Sequence, residues 1–342
     1  MGSNLAILWK KKYPQHEVTS LDNLKRRGSE LSLPRLKKQG IKFIHGDIRN
    51  PEDLEVIQGT TLLLECSAEP SVQAGYNNDP RYLTNTNTMG TLNCLEYIRK
   101  QKAAIIFLST SRVYSIPELR NLPLVEGKTR LDIPKELSGE GWSHAGISSL
   151  FSQKAPRSLY GATKYSSELF VEEYLNMYHL QGVINRCGIL AGPWQMGKVD
   201  QGVITYWISR HLFGGELSYM GFGGHGKQVR DLLHIEDLFD LICLQSEQLN
   251  NINGEIFNVG GGRDISLSLH ELTTKCQQLT GKKITITSQP NTHPADIPYY
   301  ITDNQYVTQK LGWSPQRGVD DILYDIYTWM KKNKEDLRPL FM

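Results

Sequence analysis

Apolar positions in the first third of the chain alternate between two periods. Leu5, Leu8 and Trp9 fall on one side of a helix over Asn4–Tyr13, and Glu17–Leu21 reads as a short strand ending in Asp22-Asn23. Pro34–Gln39 reads as helical, and Ile41–Ile44 as a strand ending in Gly46-Asp47-Ile48-Arg49. Pro51 then opens a helix with Glu52 and Asp53 in its first turn, where the helix dipole favours acids. Thr61–Cys66 and Ala104–Leu108 are continuous apolar runs of strand length, separated by a long helical pattern over Asp79–Lys100. Strands apolar on both faces, alternating with helices, predict an α/β fold with a doubly wound parallel sheet.

The pattern breaks over Ser115–Arg157, which is rich in Gly, Pro and Ser and weakly periodic. A loop of that length inside a domain is usually functional or disordered, and a lid is the role expected here. A helix from Ser158, a strand near Val183–Cys187 and a helix near Val203–Phe213 follow. Beyond Leu217 the elements shorten: strands at Leu217–Phe222, Gln228–Ile235, Ile256–Val259 and Lys283–Ile286, with helices from Glu236, over Leu267–Leu279, near Gln305–Leu311 and over Val319–Lys331. Two domains are expected: residues 1–188, and 189–342 as mainly a smaller mixed α/β lobe, some of it returning to the first domain.

The 342 residues carry a net charge of +2, so no nucleic-acid partner is implied. No apolar run approaches the length of a membrane span, and the start lacks a signal-peptide core. Five scattered cysteines without a CxxC pair argue against a disulfide framework or zinc site and for a reducing cytoplasm. The nine histidines show no metal-ligand spacing.

Tyr160 and Lys164 stand four apart on the helix that follows Ser158, so a phenol and an ammonium share one face. A nearby ammonium favours phenolate, making Tyr160 a candidate acid/base for an alcohol proton. The spacing alone is cheap: Tyr306/Lys310 and Tyr327/Lys331 repeat it, and each reads alone as an ordinary helix pair. Context separates them. Strand Ala104–Leu108 runs into Ser109-Thr110-Ser111-Arg112, and ligands of open parallel sheets sit beyond the carboxyl ends of strands. Thr110 is thereby placed to bond a sugar oxygen, although any single Thr there reads by default as a satisfied loop hydroxyl. A carboxylate at Asp22 suits an adenosine ribose and disfavours a 2′-phosphate, with Arg26 and Arg27 weakening that preference. Asp47 fits either an adenine-side contact or a turn.

Gly221–Gly226 matches GxGxxG, but a strand-like alternation follows it instead of a helix, so a hairpin turn is expected. Gly260-Gly261-Gly262 is expected as a strand-to-helix turn. Arg230-Asp231-x-x-His234 fits a guanidinium against phosphate or a salt bridge.

Several segments together resemble the extended short-chain dehydrogenase/reductases, specifically the NAD-dependent nucleotide-sugar epimerases and, among them, the CDP-paratose 2-epimerase (CDP-tyvelose epimerase) group. The segments are Leu21–Gly28, His45–Arg49, Ala68–Tyr76, Asn85–Asn93, the Thr110 and Tyr160/Lys164 set, Asn185–Gly202, Arg230–His234 and Phe257–Gly262. The resemblance implies a Rossmann-like sheet. It makes Tyr160 the catalytic base, Thr110 its hydroxyl partner on the substrate, and Lys164 a catalytic residue that binds the nicotinamide ribose and tunes Tyr160. It lines the NAD site with Asp22, Asn23, Asp47, Ile48, Ala68, Asn87 and Ser109, and places Gln201 and Arg230 on a CDP-hexose. It further implies a transient keto-sugar, a homodimer through the Asp79–Lys100 and Tyr160–Leu180 helices, and no metal.

Three departures matter. Sugar 4,6-dehydratases carry Asp-Glu after the catalytic Thr, where Ser111-Arg112 stand here; galactose-type 4-epimerases usually carry Asn at the place of Ile189. The family also opens with a buried strand and a Gly-x-x-Gly-x-x-Gly loop, of which only the third glycine, Gly2, has a counterpart. Ladder groups at Glu17–Leu21 and Thr61–Cys66 are therefore expected to lack partners. Either Met1 is an internal methionine of a longer reading frame, or the chain is a truncation that binds NAD poorly. The first is favoured because nothing downstream looks decayed.

Overall fold

The computed structural model describes residues 1–198 and 201–342; Val199 and Asp200, within the Asn185–Gly202 segment, lie outside the described residues. The first helix, α1 (Gly2–Lys12), packs Ile7 with Leu36 and Ile41 beside a parallel pair of strands, β1 (Thr19–Asp22) and β2 (Lys42–His45), bridged by α2 (Leu33–Lys38). After α3 (Pro51–Glu55) comes β3 (Leu62–Glu65). The helix expected over Asp79–Lys100 is two helices, α4 (Arg81–Thr84) and α5 (Gly90–Gln101). Between them Asn85–Met89 widen into a π turn, with the Gly90 N–H returning to the Asn85 carbonyl. Such turns recur at functional sites. Strand β4 (Ala104–Thr110) runs two residues past its apolar stretch, carrying Ser109 and Thr110 at its end.

Residues 115–157 hold α6 (Ile116–Arg120) and two short hairpins, β5 (Val125–Glu126) with β6 (Leu131–Asp132), and β7 (Trp142–Ser143) with β8 (Gly146–Ile147). Their pattern is not periodic because polar ties fix them. Arg263 meets Asp132, Arg130 bonds Ser266, and the Ile147 N–H bonds the Ile301 carbonyl. Next come α7 (Leu159–Met177), β9 (Gly182–Cys187), β10 (Ile189–Ala191), α8 (Val203–Phe213), β11 (Leu217–Met220) and β12 (Val229–His234). The chain ends with α9 (Ile235–Ile252), β13 (Ile256–Val259), β14 (Ser266–Ser268), α10 (Leu269–Thr280), β15 (Ile286–Gln289), β16 (Tyr299–Tyr300), α11 (Gln305–Leu311), α12 (Val319–Lys332) and α13 (Lys334–Phe341).

Two compact units result: residues 1–113, 157–187 and 238–257 in one, and 114–156, 188–237 and 258–342 in the other. The first unit carries the order β13-β9-β4-β3, with β3, β4 and β9 parallel, and the separate β1–β2 pair. Leu95, Ile98, Phe107, Val171 and Ile184 form its core between α5, α7 and the sheet. Each fully buried aliphatic or aromatic side chain contributes roughly 1.5–3 kcal/mol. Among the described residues β1 pairs only with β2 and β3 only with β4, so each keeps one edge without a strand. Leu62, Leu63 and Leu64 are accordingly only half-buried. The second unit pairs β12 with β10, β14 and β16, and β11 with β15.

The glycine-rich turn after β11 is not a hairpin. It joins strands of two different sheets, and Gly221, Gly223, Gly224 and Gly226 all take positive φ, where a side chain is strained. The Gly260–Gly262 turn leads into β14 before any helix, so the helix expected from Leu267 starts at Leu269. β10, β16 and α13 were too short or too polar to register as periodic.

Candidate functional site

Ser109 and Thr110 end β4 opposite Arg186 and Cys187 of β9. The chain then tightens through Ser111–Val113, and α7 starts against this turn, its first amides capped by the Ser158 hydroxyl, which accepts from the Gly161 N–H at 3.2 Å. Gly161 makes the approach possible: a Cβ there would stand 2.1 Å from the Arg112 carbonyl oxygen. The same contact brings Tyr160 near Thr110, whose Oγ1 accepts the Arg112 N–H at 3.2 Å. Tyr160 is buried. That burial pushes its phenol up to about 12, while the Thr110 hydrogen bond and the Arg112 charge pull the other way.

Lys164 lies one turn further along, also buried. Its ammonium has an acid beside it that the spacing did not announce. It sits 3.8 Å from the Glu65 carboxylate and 3.9 Å from the centre of the Phe107 ring. Burial raises the Glu65 carboxyl at the end of β3 and lowers the Lys164 ammonium, and the attraction between the two opposes both shifts. The other two Tyr-x-x-x-Lys pairs are surface pairs whose lysines lie over ring faces, 5.6 Å from the Tyr306 centroid and 5.9 Å from that of Tyr327.

The surrounding polar groups lock α7 onto the sheet. In the π turn, Asn87 accepts the Glu69 backbone N–H at 2.8 Å and donates to Thr163 Oγ1 at 3.1 Å. Ala68 lies in the turn so pinned, between Ser67, whose N–H bonds Glu65, and Glu69. The Ser109 hydroxyl donates to Glu168, and Glu168 in turn takes Arg186. Ser109 therefore spends its hydroxyl on the protein.

At the ends of β1 and β2, Asp22 accepts the Leu24 N–H at 2.7 Å in an exposed turn, and Asn23 donates to Asp47 at 2.8 Å. Asp47 also receives Arg49, whose side chain holds the carboxyl far below the usual carboxylate range. Ile48 packs under the π turn: a Cβ on Gly90 would stand 2.5 Å from it. The start of α1 lies by the end of β3: a Cβ on Gly2 would stand 3.7 Å from the Cys66 Cβ.

In the second unit, Arg230 is tied to Asp296 at 3.2 Å and to the Ile297 carbonyl at 2.6 Å. Gln201 pairs with Lys198 through its backbone, while its buried Oε1 has no hydrogen-bond partner among the described residues. Among the described residues no cluster of His, Cys, Asp and Glu could hold a metal ion, and no helix is long and apolar enough to cross a membrane.

Residues 1–260 match the profile described as Epimerase, NAD dependent epimerase/dehydratase family. The chain belongs to the NAD dependent epimerase/dehydratase family. It is similar, at 28% identity and over 96% of each chain, to the CDP-paratose 2-epimerase of Salmonella typhi. At 26% identity it resembles the bifunctional UDP-glucose and UDP-xylose 4-epimerase 3 of Arabidopsis thaliana, over 93% of this chain and 89% of the relative. The fold superimposes on DesIV, a dTDP-glucose 4,6-dehydratase of Streptomyces venezuelae solved with NAD, with a TM-score of 0.77 and 24% identity over 99% and 96% of the two chains.

The residues fit the dinucleotide implied by the family unevenly. Around Tyr160, Lys164 and Asn87 the fit is good: the side chains are buried and cross-braced, and Lys164 offers ammonium protons that Glu65, at 3.8 Å, does not bond. At the end of β1 the Asp22 and Asn23 side chains already bond within the protein. Sequence reasoning missed Glu65. Its signal was present, a lone acid closing the apolar run Leu62-Leu63-Leu64.

Proposed function

We propose that the chain is an NAD-dependent nucleotide-sugar epimerase that inverts C2 of a CDP-deoxyhexose through a transient keto-sugar. The observation that carries this reading is the buried Tyr160–Thr110 pair at the carboxyl end of β4, with Lys164 one turn away. Bound NAD would supply the hydride acceptor and donor and, when oxidised, a positive ring that favours phenolate. Tyr160 takes the sugar hydroxyl proton at its phenol oxygen and returns it after the keto-sugar has turned over. Thr110 hydrogen-bonds the reacting oxygen and aligns it with Tyr160. Lys164 holds the nicotinamide ribose hydroxyls, while Asp22, Asn23, Asp47, Ile48, Ala68, Asn87 and Ser109 line the cofactor. Ser111 and Arg112 supply no acid/base pair, which favours epimerisation over loss of water.

The first unit is the cofactor-binding part and the second the substrate lobe, to which Gln201, Arg230 and residues 115–156, as most of a lid over 115–157, belong. The buried Oε1 of Gln201, without a partner among the described residues, supports a substrate donor there. Exposed Leu169, Phe170 and Met177 on α7, with Met89, support a homodimer through these helices. Five free thiols support a reducing cytoplasm.

The test is to incubate the chain with NAD and CDP-hexoses and follow the sugar protons by NMR. Inversion at C2 supports the assignment; inversion confined to C4 moves it to the 4-epimerases. The strandless edges of β1 and β3 favour a second reading, a non-catalytic nucleotide-binding member. It predicts nucleotide binding with no inversion of any sugar.

A further inference from the structure

Glu65 closes β3 with a side chain only 1% exposed. Its Oε1 accepts the Ser67 N–H at 2.8 Å, but its Oε2 has no hydrogen-bond partner and only the Lys164 ammonium, 3.8 Å away. A buried carboxylate with one oxygen served by an ion at that distance is under-satisfied, and it depends on that ion to stay charged. The groups facing the pair do not replace it. Cys66 on the same strand end, Cys94 of α5 and Cys187 of β9 are thiols that burial keeps neutral, and Glu168 is already neutralised by Arg186. Burial raises the Glu65 carboxyl above its ordinary value, and the Lys164 charge is the largest influence holding it down.

We infer that Glu65 is the counter-ion of Lys164 and a proton acceptor linked to dinucleotide binding: once ribose hydroxyls draw the ammonium away, Glu65 takes up one proton. The inference rests on the role given above to Lys164. Proton balance is simple. The free chain holds Lys164 protonated and Glu65 ionised; the bound chain keeps the proton on Lys164 and gains one from solvent on Glu65. Proton uptake on binding means affinity rises as pH falls, by at most about tenfold per pH unit while Glu65 changes state. Glu65 acts through Lys164 and is a positioning residue.

The test is calorimetry of NAD binding to the full chain in two buffers of different protonation enthalpy, over about pH 6 to 9. The wild-type chain should take up close to one proton, and Glu65→Gln should take up none and bind with flat pH dependence. A companion measurement needs no variant: infrared difference spectra of the wild-type chain should gain a protonated carboxyl band when NAD is added. Binding without proton uptake or that band, or uptake undiminished in E65Q, overturns the assignment while leaving the NAD reading intact. A chain that binds no NAD at any pH overturns both.

Discussion

Arg186 of β9 and Glu168 of α7 meet as a bidentate ion pair, Nε at 3.0 Å and Nη2 at 2.7 Å from Oε2, with side chains 5% and 0% exposed. The pair fastens the helix that carries Tyr160 and Lys164 to the strand beside Thr110, and Ser109 completes it from β4. Removing one partner leaves a buried charge alone, which costs about 3–5 kcal/mol. Arg186→Leu and Glu168→Leu should each lower the denaturation midpoint sharply in urea titrations. The double variant should recover part of the loss, because no uncompensated charge remains.

Gly161 tests the placement of Tyr160. An alanine methyl would stand 2.1 Å from the Arg112 carbonyl, too close for any flexible side chain to absorb, so α7 must shift against Thr110. Displacements of that size at a reacting pair cost on the order of 100-fold in rate. Gly161→Ala should lower turnover by that order. A helix still capped by Ser158 should keep the circular dichroism close to native.

Asn87 joins three segments, through Glu69, Thr163 and the π turn itself. Asn87→Ala should cost about 1–3 kcal/mol, because the Glu69 N–H is left without its acceptor. It should also weaken NAD binding. Thermal melts and calorimetry read the two effects separately.

The strandless edges of β1 and β3 make a local prediction. Amides of a strand paired on both sides are protected by bonds in both directions, whereas these two strands are bonded on one side only. Hydrogen exchange should be fastest for the N–H groups of β1 and β3 that point away from β2 and β4, and slowest in β4, which is flanked by β3 and β9.

Much of the fold was legible because its strands are apolar and its helices amphipathic: α8 and α11 fall where periodicity put them, and β4 extends the run at Ala104–Leu108 by two residues. What escaped was set by partners distant in sequence. The π turn at Asn85–Met89 keeps helical spacing, so no pattern marks it. Residues 115–157 owe their order to ties such as Asp132 with Arg263, which no local period encodes. At the site, spacing alone put Lys164 beside Tyr160. The field that Lys164 answers comes from Glu65, 99 positions earlier in the chain and brought to it only by the sheet.

The central claim is that Tyr160 carries the proton of a sugar hydroxyl while Lys164 serves the cofactor. Single-turnover absorbance of NAD-loaded chain mixed with a CDP-deoxyhexose tests it most directly, because reduction of the nicotinamide is visible without knowing the product. The account predicts a transient rise in the wild-type chain and none in Tyr160→Phe, with NAD still bound to the variant. An equal transient in Tyr160→Phe would contradict it.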